Sequence, residues 1–211
     1  MPIRHAPTRS IALVLACAAV WTWPAFLAAR AVPRIGLTVR VYHQTAGLPL
    51  ALQKRALTEA ETVLLPALVD VHWEQCSGLH AAPGCQAPPG PAALLLVVRE
   101  RSSCEDRAVT LGEALIIQRA SGVLANVYVN CVASLAAATE TDVAVLFGRV
   151  IAHELGHLMM RSVAHAHRGL MRRNWTPDEI RRNHALDWTF TAEDVAAMRQ
   201  PGSLFTTPPS R

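Results

Sequence analysis

The pattern of hydrophobic and polar positions after residue 31 first predicts strands with one helix among them. Hydrophobic residues occupy alternate positions from Ile35 to Val41, which predicts a half-buried strand. Leu, Ala and Val then recur every three or four residues from Leu50 to Leu65, which predicts an amphipathic helix that ends at Pro66. Shorter apolar runs predict three further strands, from Val69 to Trp73, from Leu94 to Val98 and from Val123 to Val129.

The remainder of the chain is predicted to be mostly helical. Apolar residues recur at helical spacing from about Asp142 to Met160. Thr176 and Thr191 are each followed by acidic residues in the positions that begin a capped helix. A sheet early in the chain and helices late in the chain predict an α+β domain.

The first 31 residues have the pattern of a targeting segment. Arg4 and Arg9 precede an apolar run from Ile11 to Ala29, and Ala29 and Ala31 form a small-residue cleavage site. We therefore predict a signal peptide over residues 1–31, a single domain over residues 32–211, and a secreted or periplasmic protein. The apolar run is also long enough to stay in a membrane, so anchoring by residues 11–29 is the alternative.

Composition and charge narrow the classes of partner. The 211 residues are 51% hydrophobic and carry a net charge of +4, which is compatible with a substantial core and excludes disorder as the main state. Without residues 1–31 the net charge is +1, because 17 basic residues then stand against 16 acidic ones. This balance lacks the clustered positive excess that phosphate binding needs, so we expect no nucleic-acid partner.

The cysteines indicate disulfide bonds rather than a metal site. Four cysteines remain after the proposed leader, and in an exported chain this number predicts two disulfides. Short loops favour Cys76 with Cys85 and Cys104 with Cys131. No CxxC pair occurs in the sequence, so a cysteine zinc site is not indicated.

The long apolar helix contains the pattern that carries chemistry. It reads His153-Glu154-Leu155-Gly156-His157, an HExxH sequence. The four-residue spacing places both imidazoles on one helical face, where they can bind one metal ion. Glu154 lies about 100° further round the helix and can reach an attacking water. We predict a Zn²⁺ site with His153 and His157 as ligands and Glu154 as general base.

A catalytic zinc ion needs a third protein ligand, and residues after the helix offer several. His165 and His167 lie just beyond it, and Glu179 and Glu193 stand further along the chain. A glutamate ligand on a later helix is the arrangement of the thermolysin-like gluzincins. Both glutamates also have a structural explanation, because each lies in the first turn of a predicted helix.

The segment from His153 to Trp175 resembles the metzincin group of zinc proteases. That group has the pattern HExxHxxGxxH and a later methionine turn; here Met160 and Val163 occupy the Gly and third-His positions. The segment is more similar to small exported bacterial metzincin-like proteins of the form HELGHLLL...xHxxxGIMxxxW. The resemblance implies His165 as third ligand, with His167 as its rival, and Met171 as the turn methionine. It also implies a zincin-like fold, a small mixed sheet with an active-site helix and a helical C-terminal part.

These features together predict an exported zinc-dependent endopeptidase that hydrolyses peptide bonds with a zinc-activated water. We expect a monomer that acts on a peptide or protein substrate and meets a membrane only through an uncleaved leader. One alternative is a zinc-stabilised binding or envelope protein without turnover, and another is a gluzincin-type peptidase with a glutamate ligand.

Further residues are candidates around this site. Arg149 is a candidate partner for a carboxylate near the metal, and Tyr128 and His184 are candidate oxyanion donors. The strand from Val123 to Val129 is expected to be the sheet edge that pairs with an extended substrate.

Overall fold

The computed structural model describes residues 32–45, 48–78, 81–90, 93–104, 110–116 and 124–200. Within these ranges it contains five strands and five α-helices. The strands are β1 (Ile35–His43), β2 (Val69–Gln75), β3 (Ala93–Arg99), β4 (Gly112–Leu115) and β5 (Leu124–Tyr128). The helices are α1 (Leu50–Leu64), α2 (Val129–Ala138), α3 (Val143–Met160), α4 (Pro177–Arg182) and α5 (Ala192–Met198).

The strands form one mixed sheet in the order β2-β1-β3-β5-β4. β1, β2, β3 and β5 run parallel, and β4 pairs antiparallel with β5. Because side chains alternate between the two faces of a strand, one face carries the apolar residues, such as Val39, Leu96 and Val127, which are fully buried. These side chains share one hydrophobic core with α1 and α3.

Helix α3 is the buried centre of the fold. It contacts α1, α2, α5, β4 and β5, and 15 of its 18 residues are buried. The Asp142 carboxylate caps its first turn by accepting the backbone N–H groups of Ala144 and Val145 at 2.8 and 3.3 Å. α3 is also long and apolar enough to cross a membrane, but 83% of this apolar stretch is buried inside the protein. The apolar composition of α3 is therefore explained by its burial in the core of the protein.

The structure confirms the predicted class, a mixed sheet followed by a long helix and a helical C-terminal part. The sequence pattern missed β4 and α2. β4 is only four residues long and contains no β-branched residue, so no alternation marks it. The prediction that the strand near residues 123–129 forms the sheet edge is wrong, because β4 pairs with the outer side of β5. Val129 belongs to α2 rather than to that strand.

Both predicted disulfides are present. Cys76 is bonded to Cys85 in the segment that follows β2, and Cys104 is bonded to Cys131 of α2. Disulfides of this kind are typical of oxidising compartments outside the cytosol. The leader and anchor predicted for residues 1–31 lie outside the described residues, so cleavage and export stay predictions.

Candidate metal centre

Three imidazoles meet at the C-terminal half of α3. His153 and His157 lie on the helix, and His165 comes from the segment after it. One ligand atom from each residue lies within 4.8 Å of the other two. The ring centroids of His153 and His157 are 4.7 Å apart, and His165 lies 4.7 Å from His157 and 5.5 Å from His153. The helical spacing therefore brings the first two rings together, and the returning chain adds the third.

Backbone carbonyl groups fix the protonation of two of these rings. Nδ1 of His153 lies 2.9 Å from the carbonyl oxygen of Leu170, and Nδ1 of His157 lies 2.7 Å from that of Ser162. A carbonyl oxygen can only accept a hydrogen bond, so each Nδ1 carries the proton and donates it. The lone pairs are then on the Nε2 atoms, which lie 3.0 Å apart.

Burial keeps both rings neutral. Burial, followed by the neighbouring His157, lowers the pKa of His153 to about 3. Burial likewise lowers the pKa of His157 to about 4. At neutral pH, therefore, neither Nε2 atom has a proton to donate to the other, and their facing lone pairs suit a cation placed between them.

The ring of His165 contains a nitrogen atom without a hydrogen-bond partner among the described residues. This atom, Nδ1, is buried. A buried polar atom left unpaired costs about 1–3 kcal/mol, which a bound ligand or ion would offset. The backbone N–H of Ala166 donates to the carbonyl oxygen of Met171 at 2.8 Å, so the segment that carries His165 is held against the turn after it.

Met171 packs against α3 next to the second histidine. It is fully buried. A Cβ atom placed on Gly156 would lie only 2.8 Å from Sδ of Met171 and 2.7 Å from Cε1 of Phe190. The lack of a side chain at position 156 therefore lets Met171 and Phe190 pack close against α3.

Trp175 supports the first histidine from behind. Its Nε1–H donates to the carbonyl oxygen of Leu170 at 3.3 Å, the same atom that accepts from His153. Its ring lies edge-on to His153 at 5.6 Å and to Trp188 at 5.1 Å between centroids. Leu170 and Trp175 together fix the orientation of the His153 ring.

Glu154 points towards the edge of the sheet. Only 5% of its surface is exposed. A Cβ atom placed on Gly112 of β4 would lie 2.6 Å from Cγ and from Oε1 of Glu154, so the strand passes directly beside the carboxyl group. Burial, followed by the charge of Glu113, raises the pKa of Glu154 to about 8. A carboxyl group with a pKa near neutrality is suited to proton transfer at physiological pH. No sequence motif marks Gly112 or Glu113, and sequence reasoning missed both.

The other candidate ligands lie elsewhere. Glu179 caps α4 and pairs with Arg172, as its position in a capping box predicts. Glu193 forms an exposed ion pair with Arg168 at 3.5 Å. His167 is exposed. Within the described ranges, none of these three joins the histidine group.

The three remaining candidates have other surroundings. Arg149 pairs with Glu59 of α1 at 3.3 Å and lies 4.2 Å from the ring centroid of Trp188, so it ties α3 to its neighbours. The hydroxyl group of Tyr128 donates to Oε2 of Glu113 at 3.1 Å. His184 is exposed, immediately before the short 3-10 turn that ends at Trp188.

A second group of potential ligands is excluded by its chemistry. Glu74, Cys76 and Cys85 lie close enough together to surround an ion. The two sulfur atoms are bonded to each other, however, and so cannot act as thiolate ligands.

Comparison with known proteins gives a distant structural likeness. Neither a protein-family model nor a curated protein matches the chain. Among solved structures, metalloproteinase-II from Bacteroides fragilis aligns with a TM-score of 0.48 at 14% sequence identity. The alignment covers 81% of this chain and 54% of that chain, so this chain spans about half the length of the protein it matches.

Proposed function

We propose that this protein is a zinc-dependent endopeptidase in which His153, His157 and His165 hold the ion. The observation that carries the proposal is the pair of neutral Nε2 atoms 3.0 Å apart, each backed by an Nδ1–H donated to a carbonyl group. Neutral imidazoles with such outer partners are the form in which histidine binds zinc. His165 would supply a third donor, because one of its ring nitrogen atoms lies within 4.8 Å of the ligand atoms of the other two histidines.

Three histidine ligands are typical of a catalytic rather than a structural zinc site, because structural sites take four protein ligands. When bound, the ion would polarise the scissile carbonyl group and lower the pKa of a water molecule. The buried Glu154, next in sequence to the first ligand, would take a proton from the attacking water and pass it to the leaving amine. A site that serves folding alone has no need for such a base.

The edge of the sheet offers a place for the substrate. β4 pairs with β5 on one side, and no described residue pairs with its other side. An extended peptide can add to such an edge through backbone hydrogen bonds. Because Glu154 lies beside Gly112, a peptide paired with β4 would bring a scissile bond close to the base. This supports a peptide or protein as the substrate.

Export is part of the proposal. The two disulfides and the basic-then-apolar pattern of residues 1–31 both support a protein that acts outside the cytoplasm. An exported form without residues 1–31 would retain all three histidines and Glu154.

The test is a digest of a broad peptide library by the purified exported form. We expect cleavage that stops on addition of a chelator and returns when zinc is restored. A protein that binds zinc but cuts no peptide would contradict the proposal and favour a binding or envelope protein stabilised by its metal.

A further inference from the structure

Gly112 lies where strand β4 comes closest to Glu154. A Cβ atom at this position would be 2.6 Å from Cγ and Oε1 of Glu154 and 2.8 Å from Cδ. Carbon atoms in favourable contact are about 3.5–4.0 Å apart. A side chain at residue 112 would therefore clash with the Glu154 carboxyl group in its present position.

Strand β4 is held in place by its pairing with β5. Its four residues pair with β5 from Gly112 opposite Val127 to Leu115 opposite Leu124. The pairing continues just beyond the strand, where the N–H of Tyr128 donates to the carbonyl oxygen of Leu111 at 2.9 Å. Glu154, in contrast, has rotatable side-chain bonds, so its carboxyl group is the part that would shift.

We infer that Gly112 is a positioning residue for the general base. The backbone of Gly112, which has no side chain, leaves room for the Glu154 carboxyl group, and any side chain there would displace the carboxyl group from its present position. The strand that offers its outer edge to the substrate would thereby also set the orientation of the base. This inference rests on the proposed function.

The direct test compares two glycine substitutions in the sheet. Gly112→Ala adds a methyl group beside Glu154, whereas Gly36→Ala adds one on β1 where no atom lies within 4 Å. A misplacement of about 1 Å in a catalytic group can lower the rate by about 100-fold. We expect Gly112→Ala to lower kcat by about 10- to 100-fold, with KM and zinc content unchanged. The Gly36→Ala variant should keep the wild-type kcat. Wild-type kcat in the zinc-loaded Gly112→Ala variant would overturn the inference.

A second measurement does not depend on activity. Adding a methyl group to a packed site lowers the melting temperature, by roughly 2–12 °C for a protein of this size. We expect this loss for Gly112→Ala in the wild-type protein and not in a Glu154→Ala background, where the obstructing side chain is absent. An equal loss in both backgrounds, or failure of Gly112→Ala to fold in both, would overturn the inference. A wild-type protein that cuts no peptide would instead contradict the proposed function, and the melting cycle would still test the contact.

Discussion

The Nε2 atoms of His153 and His157 lie 3.0 Å apart, and neither carries a proton that could join them. Each ring gives its Nδ1 proton to a backbone carbonyl group, and burial keeps both rings from gaining a second proton. A cation bound between the two Nε2 atoms would stabilise their facing lone pairs. The fold therefore holds the two rings in the protonation state and orientation that suit binding of a metal ion.

This arrangement of the two rings predicts that bound zinc stabilises the folded protein. An ion that binds only the native state at about 1,000 times its dissociation constant adds about 4 kcal/mol to the free energy of unfolding. For a protein of this size the melting temperature should then rise by roughly 8–16 °C. Calorimetry with and without chelator measures the rise. His157→Ala should remove the zinc-dependent rise in melting temperature. Equal melting temperatures for the wild-type protein with and without chelator would contradict a zinc site.

The third ligand can be identified by a matched pair of variants. His165 lies within the histidine group and His167 is exposed, although only one residue separates them. We expect His165→Ala to lower zinc affinity by more than the roughly 100-fold that loss of an outer partner can cost. His167→Ala should bind zinc as the wild-type protein does. Titration with a competing zinc indicator measures the zinc affinity of each variant. A greater loss of affinity in His167→Ala than in His165→Ala would identify His167 as the third ligand instead.

Glu154→Gln separates chemistry from metal binding. The amide has nearly the shape of the carboxylate but cannot take a proton from water. We expect full zinc content and a kcat lower by about 100- to 10,000-fold. Metal analysis and peptide hydrolysis on the same preparation provide the test. Loss of zinc together with activity would mean that Glu154 supports the site structurally.

The buried carboxyl group of Glu154 also predicts a pH dependence of stability for the metal-free protein. Burial raises its pKa from 4.5 to about 8, so between these values the native state keeps a proton that the unfolded state has lost. This contribution is fully present below pH 4.5 and is lost as the pH rises through about 8. The slope is at most about 1.4 kcal/mol per pH unit.

Glu154→Gln removes this titration, so the difference between wild-type and variant stability isolates it. We expect the wild-type protein to lose stability relative to the variant as the pH rises from 4.5 towards 8, and no further change above that range. Urea denaturation in chelator at several pH values gives the two curves. Parallel curves would show that the carboxyl group is ionised in the fold.

Local geometry explains how much of the candidate site could be predicted. His153 and His157 lie close together because they are four residues apart on a helix, and this spacing can be read from the sequence. The approach of His165 depends on how the chain turns after α3, and only the resemblance to a known pattern indicated it. The capping role of Glu179 was visible because its partner, Thr176, lies three residues away.

Contacts between distant parts of the chain could not be predicted. Gly112 and Glu154 are 42 positions apart, and a four-residue strand without β-branched residues has no periodicity to reveal it. The carbonyl groups that fix the rings, such as that of Leu170, belong to the backbone and leave no mark in the sequence. The sheet edge was assigned to the wrong strand for the same reason, since β4 itself was missed.

An anomalous-scattering map at the zinc edge, from crystals of the purified protein, would show whether His153, His157 and His165 surround one ion. We expect one strong peak about 2.0–2.1 Å from a nitrogen atom of each of His153, His157 and His165. A map from zinc-saturated protein without a peak between these rings, or with His165 turned away from the peak, would contradict this expectation.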